Sequence, residues 1–156
     1  PELLEELGAD VETDPGNHWI SVNMNRSVRP VSYLTTAPFP GFPTDLQSML
    51  MAVLGKSTGF SFLEEKIFEA RFQVVPELQK MGANIQAGGA FALIEGVKTF
   101  YGADLEAREL RGGAALVMAA LAAEGVCSVS GMEFVQRGYE DLCGDLKNLG
   151  VVVNYS

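Results

Sequence analysis

Apolar and polar positions along the chain fall into a helical period and then a strand period, and this order recurs. Pro1-Glu2-Leu3-Leu4-Glu5-Glu6-Leu7-Gly8-Ala9-Asp10-Val11 closely resembles Pro76-Glu77-Leu78-Gln79-Lys80-Met81-Gly82-Ala83-Asn84-Ile85. Each stretch predicts a short helix with proline in its first turn, where the missing N–H costs no hydrogen bond, and glycine at its end. Each then enters an alternating strand. A degenerate third copy spans Tyr139 to Leu149, with Leu142, Leu146 and Leu149 on one helical face, followed by Gly150 and Val151-Val152-Val153. Turns follow the first two copies. Asp14-Pro15-Gly16-Asn17 predicts a hairpin between residues 10–12 and 19–22, and Gly88-Gly89 one between residues 84–86 and 91–94.

A second kind of helix is predicted over residues 45–54, opened by Pro43-Thr44-Asp45, which suits N-capping. Its counterpart covers residues 111–123 and ends at Gly125. Both lead into short strands, residues 60–63 and 127–130. A shift of 66 residues, which lays Asp45 on Arg111, also lays Gly59 on Gly125, Phe68 on Phe134 and Arg71 on Arg137. The unit is therefore helix, strand, helix, strand, strand. Such units pack helices in a shared core with sheets outside. The expected fold is α/β, a single lobe over residues 1–156 made of about two and a half helix–strand repeats. The chain starts in mid-unit at Pro1, so the strand and helix that open that copy are expected upstream.

Composition narrows the chemistry. With 156 residues, 47% hydrophobic and 20% charged, the chain is globular and of single-domain size. No apolar run approaches the roughly 20 residues of a membrane span, and Ala114 to Ala123 suits a buried helix. The acidic start lacks the basic and apolar regions of a signal peptide, so a cytoplasmic location away from membranes is expected. Cys127 and Cys143 have no neighbouring His or Cys and are expected as reduced interior thiols. The only histidine, His18, lies in a turn, which argues against a metal site or a His-based triad. No cofactor is called for. A net charge of −9 disfavours nucleic acid but leaves small anions open, because those need only a local cluster of arginines.

Four polar residues, Asp45, Arg71, Arg111 and Arg137, fall near successive helix starts under the 66-residue shift. Capping explains an aspartate there. Arginine in a first turn opposes the helix dipole at a cost of up to about 1 kcal/mol. Three at related positions point to guanidinium groups converging on an anion such as phosphate or carboxylate. Arg26, Arg29 and Arg108 have no such placement. The loop Thr35-Thr36-Ala37-Pro38-Phe39-Pro40-Gly41-Phe42-Pro43-Thr44-Asp45 holds three prolines and two aromatics, a stiffness that costs little entropy to order around a ligand.

That loop, Thr36-Ala37-Pro38-Phe39-Pro40-Gly41-Phe42-Pro43-Thr44-Asp45-Leu46-Gln47, resembles the signature loop of the UDP-N-acetylglucosamine 1-carboxyvinyltransferase branch of the enolpyruvyl transferases. Phe68-Glu69-Ala70-Arg71-Phe72, Glu109-Leu110-Arg111-Gly112-Gly113-Ala114-Ala115-Leu116-Val117 and Arg137-Gly138-Tyr139-Glu140 follow in that family's order and at similar spacing. The resemblance implies transfer of enolpyruvyl from phosphoenolpyruvate to the 3′-hydroxyl of UDP-N-acetylglucosamine, the first committed step of peptidoglycan precursor synthesis. It serves cell-wall biogenesis, cell shape and cell division. It also implies an inside-out α/β barrel, two lobes of three repeats each with helices inside, and substrates in the cleft between lobes. This chain corresponds to most of the C-terminal lobe, and the N-terminal lobe would be its partner.

By the same resemblance Asp45 contacts the sugar hydroxyl as general base, and the backbone of Ile67 holds the UDP-sugar. Arg71, Arg111 and Arg137 gather around phosphoenolpyruvate. The family's reactive Cys and its Lys belong to the other lobe, so this chain alone is expected to be inactive. Ala70 stands where the family usually has Asn, and Glu109 where it has Asp, while Phe72-Gln73-Val74-Val75 lacks a usual His. Two other functions compete: the related shikimate-pathway enolpyruvyl transferase, against which the proline-rich loop argues, and a non-catalytic nucleotide-sugar-binding module.

Overall fold

A computed structural model describes residues 1–154; Tyr155 and Ser156, the end of the expected lobe, lie outside the described residues. The chain opens with helix α1 (Glu2–Glu6), which ends where Gly8 takes φ 103°, and passes into the antiparallel hairpin β1 (Asp10–Asp14) and β2 (Trp19–Asn23). The Asp14 carboxylate accepts hydrogen bonds from the amides of Gly16 and Asn17 and from Asn17 Nδ2. Asn17's side chain is the main cause that holds the Asp14 pKa below its ordinary value.

Two helices form the centre. In α2 (Gln47–Leu54), Gln47, Ser48, Leu50, Met51, Ala52 and Leu54 are all buried, so the helix has no solvent face. It packs along α4 (Leu110–Leu121), whose Gly112, Gly113, Ala114, Ala115, Leu116 and Ala119 are buried. On α4, Gly113 makes room for a neighbouring side chain: a Cβ added there would stand 2.4 Å from Val135 Cγ2. The helix expected over the Ala-rich segment is buried through Leu116 and at Ala119, but Met118 and Leu121 are exposed, and it ends at Leu121, two residues short of the expected Ala123.

A four-stranded sheet packs against α2, ordered β3 (Leu34–Thr35), β4 (Phe60–Glu64), β6 (Phe91–Glu95), β5 (Asn84–Gly88). The β3–β4 pair is parallel and the others antiparallel. Ser61, Leu63, Ile85, Ala92 and Ile94 are buried on the helical side. Phe60, Phe91 and Leu93 are exposed on the outer face, where Tyr33, Phe62 and Phe91 stack at centroid distances of 5.8 and 5.5 Å. Helix α3 (Val75–Lys80), with Pro76 in its first turn, leads into β5. Glu77 of α3 is buried and accepts from Lys80 Nζ at 2.7 Å and from the Glu106 amide at 2.9 Å.

The remaining strands are short: β7 (Phe100–Tyr101) pairs in parallel with β9 (Ala123–Glu124), and β8 (Asp104–Glu106) with β10 (Ser128–Ser130). Helices α5 (Met132–Val135) and α6 (Leu142–Asn148) follow. Two expectations change. The run Val151-Val152-Val153 is not a strand, since among the described residues no neighbouring strand pairs with it. Strands β3, β7, β8 and β9 carry too few residues to show a period and were not predicted. Cys127 and Cys143 are free thiols, half-buried and buried. No helix among the described residues is long and apolar enough to cross a membrane.

Candidate active site

Thr44–Leu46 forms a 3-10 turn ahead of α2, entered from an extended Pro43, and no side chain caps it. Asp45 is therefore not an N-cap, as its position suggests. Its Oδ1 instead accepts from Arg111 Nε at 2.8 Å and from Arg71 Nη2 at 3.3 Å. Arg111 is the second residue of α4, and Arg71 opens the 3-10 turn Arg71–Val74 that leads into α3. Three helix starts thus converge, and two guanidinium groups meet on one carboxylate. Oδ2 of Asp45 has no hydrogen-bond partner among the described residues, and most guanidinium donors stay free.

The guanidinium groups, not the helix amides, offer the anion contacts. Glu109 is the N-cap of α4: its carboxylate accepts from the amides of Arg111, at 2.9 Å, and of Gly112. Glutamate at this position therefore anchors the turn that carries Arg111. Ala70, by contrast, supplies no capping acceptor at the start of the Arg71 turn.

Arg71 is the inner wall of the cluster, its side chain 12% exposed against 59% for Asp45. Its guanidinium carbon lies 4.5 Å from the Phe68 ring centroid, and its Nε donates to Thr44 Oγ1 at 3.2 Å. Behind it sits Glu65, buried to 4% exposure. Oε1 of Glu65 accepts from Thr36 Oγ1 at 2.8 Å and from the amides of Ile67 and Phe68 at 2.8 and 3.1 Å, and Oε2 accepts from Thr44 Oγ1 at 2.9 Å. Burial pushes the Glu65 pKa up, but the bonds from Thr36, Ile67, Thr44 and Phe68 outweigh it, and the net shift is downward.

Glu65 was missed in the sequence, although strand parity was a signal: it continues the buried alternation Ser61, Leu63. Both ends of the proline-rich loop, Thr36 and Thr44, close on this one carboxylate. The loop is further braced by the Ala37 amide on the Phe42 carbonyl and the Gly41 amide on the Pro38 carbonyl, and it presents Phe39 97% exposed.

Ile67 is exposed beside the cluster, with its amide donated to Glu65, so its carbonyl is the backbone group left for a ligand. Arg137 is the expectation that changes most. It does not begin a helix: it lies in the turn after α5, exposed, with its guanidinium carbon 5.4 Å from the Phe134 centroid. It does not contact Asp45. Under the same offset Arg71 opens a 3-10 turn that runs into α3, whereas residues 137–140 form no helical turn ahead of α6, which begins at Leu142. Gly138 and Tyr139 nevertheless line the same cleft of about 220 Å³ as Asp45, Met49, Arg111 and Ala114. A larger cleft of about 540 Å³ between α3 and β5 is lined by none of the five expected site residues.

Fold and site together define an α/β protein that brings arginines from two separate helix starts onto one carboxylate. The chain belongs to the EPSP synthase (3-phosphoshikimate 1-carboxyvinyltransferase) family, whose model matches residues 1–146. It is 44% identical over 147 residues to "UDP-N-acetylglucosamine 1-carboxyvinyltransferase 2" of Caldanaerobacter subterraneus subsp. tengcongensis, covering 94% of this chain and 35% of that one. It is 52% identical over 118 residues to "UDP-N-acetylglucosamine 1-carboxyvinyltransferase 3" of Symbiobacterium thermophilum, covering 76% and 28%. Among solved structures, the enolpyruvyl transferase NikO from Streptomyces tendae matches with a TM-score of 0.87 at 29% identity, over 98% of this chain and 35% of NikO. EPSP synthase from Acinetobacter baumannii, at 18% identity, TM-score 0.68 and 97% and 35% coverage, shares the fold. The chain spans about a third of the length of the curated relatives it matches.

Proposed function

We propose that this chain is one lobe of a UDP-N-acetylglucosamine 1-carboxyvinyltransferase, acting in the cytoplasm in peptidoglycan precursor synthesis. The lobe is an inside-out α/β barrel of about two and a half repeats, and an N-terminal lobe completes the site. The observation that carries this is the convergence of Asp45, Arg71 and Arg111 beside the loop that resembles the family's signature. The packed α2–α4 pair, with a sheet outside α2, supports the barrel. The names of the relatives favour the UDP-sugar over shikimate 3-phosphate.

In the reaction the sugar 3′-oxygen bonds to C2 of phosphoenolpyruvate and its proton passes to Asp45 Oδ2. C3 gains a proton on addition and loses one on elimination, when the C2–O bond to phosphate breaks. Arg71 and Arg111 stabilise the phosphate and carboxylate charge throughout, in a geometry set before substrate arrives. Arg137 adds a third cation from the turn that carries Gly138 and Tyr139. The Ile67 carbonyl orients the UDP-sugar. The 220 Å³ cleft is smaller than the roughly 300–1,000 Å³ of a typical ligand site, which fits a lobe inactive alone.

The test uses the full-length protein with both substrates. Phosphate release matched by a UDP-sugar product heavier by one enolpyruvyl group is expected. Phosphate release with shikimate 3-phosphate, and none with the UDP-sugar, would overturn the proposal.

A further inference from the structure

We infer that Glu65 is a positioning residue that fixes the Arg71 guanidinium against Asp45 by two separate routes. The inference rests on the proposed reaction but is carried by contacts that reaction does not use. Through Oε2, Glu65 accepts the Thr44 hydroxyl proton at 2.9 Å, which turns a Thr44 lone pair toward Arg71 Nε at 3.2 Å. Only an acceptor at Oε2 imposes that direction on the hydroxyl. Through Oε1, it holds the amides of Ile67 and Phe68, and the Phe68 ring is the surface on which Arg71 lies. Thr36 joins the same oxygen from the far end of the proline-rich loop, and the Lys66 amide donates to Thr36 Oγ1 at 2.9 Å. One buried carboxylate thus couples the loop, the start of α2 and the ring beneath Arg71. The four acceptor contacts keep it ionised despite its burial.

Glu65→Gln keeps the shape but puts an NH2 donor opposite Thr44 or opposite the two amides. A misplacement of this kind away from the reacting atoms lowers kcat by roughly 10- to 100-fold. In the full-length protein we would compare Glu65→Gln, Thr44→Val and the double variant by melting temperature, kcat and KM, and by the Nε–H resonance of Arg71 in 15N-arginine-labelled protein, identified through Arg71→Lys. The expected result is a fall in kcat of that size with a retained cooperative melt. The Arg71 Nε–H should shift and exchange faster while that of Arg108 does not, and the double variant should be less impaired than the product of the two single effects. Multiplicative kinetic effects, or an unmoved Arg71 resonance in Glu65→Gln, would overturn the inference. If the wild-type protein transfers no enolpyruvyl group, the proposed function fails alone. The Arg71 resonance still decides the role of Glu65, since it needs no turnover.

Discussion

Replacing Asp45 by Asn separates charge and proton acceptance from shape. The amide oxygen can still accept from Arg111 Nε and Arg71 Nη2, now 2.8 and 3.3 Å from Oδ1, so the arginines need not move. Asp45 is 59% exposed and Arg111 38%, so that ion pair contributes only about 0.2–1 kcal/mol to stability. That corresponds to a fall of a few degrees at most in melting temperature. Loss of a general base lowers kcat by about 10²–10⁴-fold, or roughly 2.7–5.5 kcal/mol of barrier. Catalysis should therefore fall far more than stability.

The same substitution removes the carboxylate that contacts both guanidinium groups. Inorganic phosphate should then bind the full-length Asp45→Asn protein more tightly than the wild type, and more so at low salt. Continuous phosphate release measures the first effect, calorimetric titration of phosphate the second, and scanning calorimetry the control. An Asp45→Asn protein with wild-type kcat would refute the base assignment. A melting temperature lowered by more than about 5 °C would make Asp45 chiefly a structural anchor.

Other outcomes follow from the packing. Glu109→Ala should cost about 0.5–2 kcal/mol by uncapping α4, read by urea denaturation, and should loosen Arg111. Gly131→Ala should cost at least about 1–3 kcal/mol, because φ is 72° and the new Cβ would stand 2.0 Å from the Ala107 carbonyl oxygen. Gly88→Ala, with open space around its Cβ, should stay within about 0.5 kcal/mol in the same assay. Glu77 is opposed by burial but held ionised by Lys80 and the Glu106 amide, so its folded pKa is depressed. Its contribution is present above the ordinary glutamate value of about 4.5 and is lost as pH falls through the lower folded value. Acid titration of Glu77→Gln should accordingly show a flatter loss of stability below that pH than the wild type.

Local chemistry was legible wherever it acts over a few residues. Pro76 in a first turn, the glycines after α1 and α3, the hairpin turn at Asp14 and the apolar run Met49–Leu54 of α2 each declare themselves through neighbours at fixed spacing. The 66-residue offset brought out Arg71 and Arg111, because it compares positions rather than propensities. It misplaced Arg137 as a helix start, because no 3-10 turn like that at Arg71 forms there ahead of α6. Asp45 showed how a local rule can point to the wrong partner. Its sequence neighbourhood suits a cap, yet two arginines 26 and 66 residues away outcompete the free amides.

By itself the sequence determined the longer helices and the two hairpins, the burial of α2 and of the first turns of α4, and the residue types available to an anion. Those follow from periodicity and from the cost of exposing apolar surface. Only the tertiary structure decided which oxygen of Asp45 meets the arginines, that Glu109 rather than Asp45 caps a helix, and that Glu65 joins both ends of the proline-rich loop. Each of these links groups from separate elements through hydrogen bonds of about 3 Å, a distance that chain spacing does not encode.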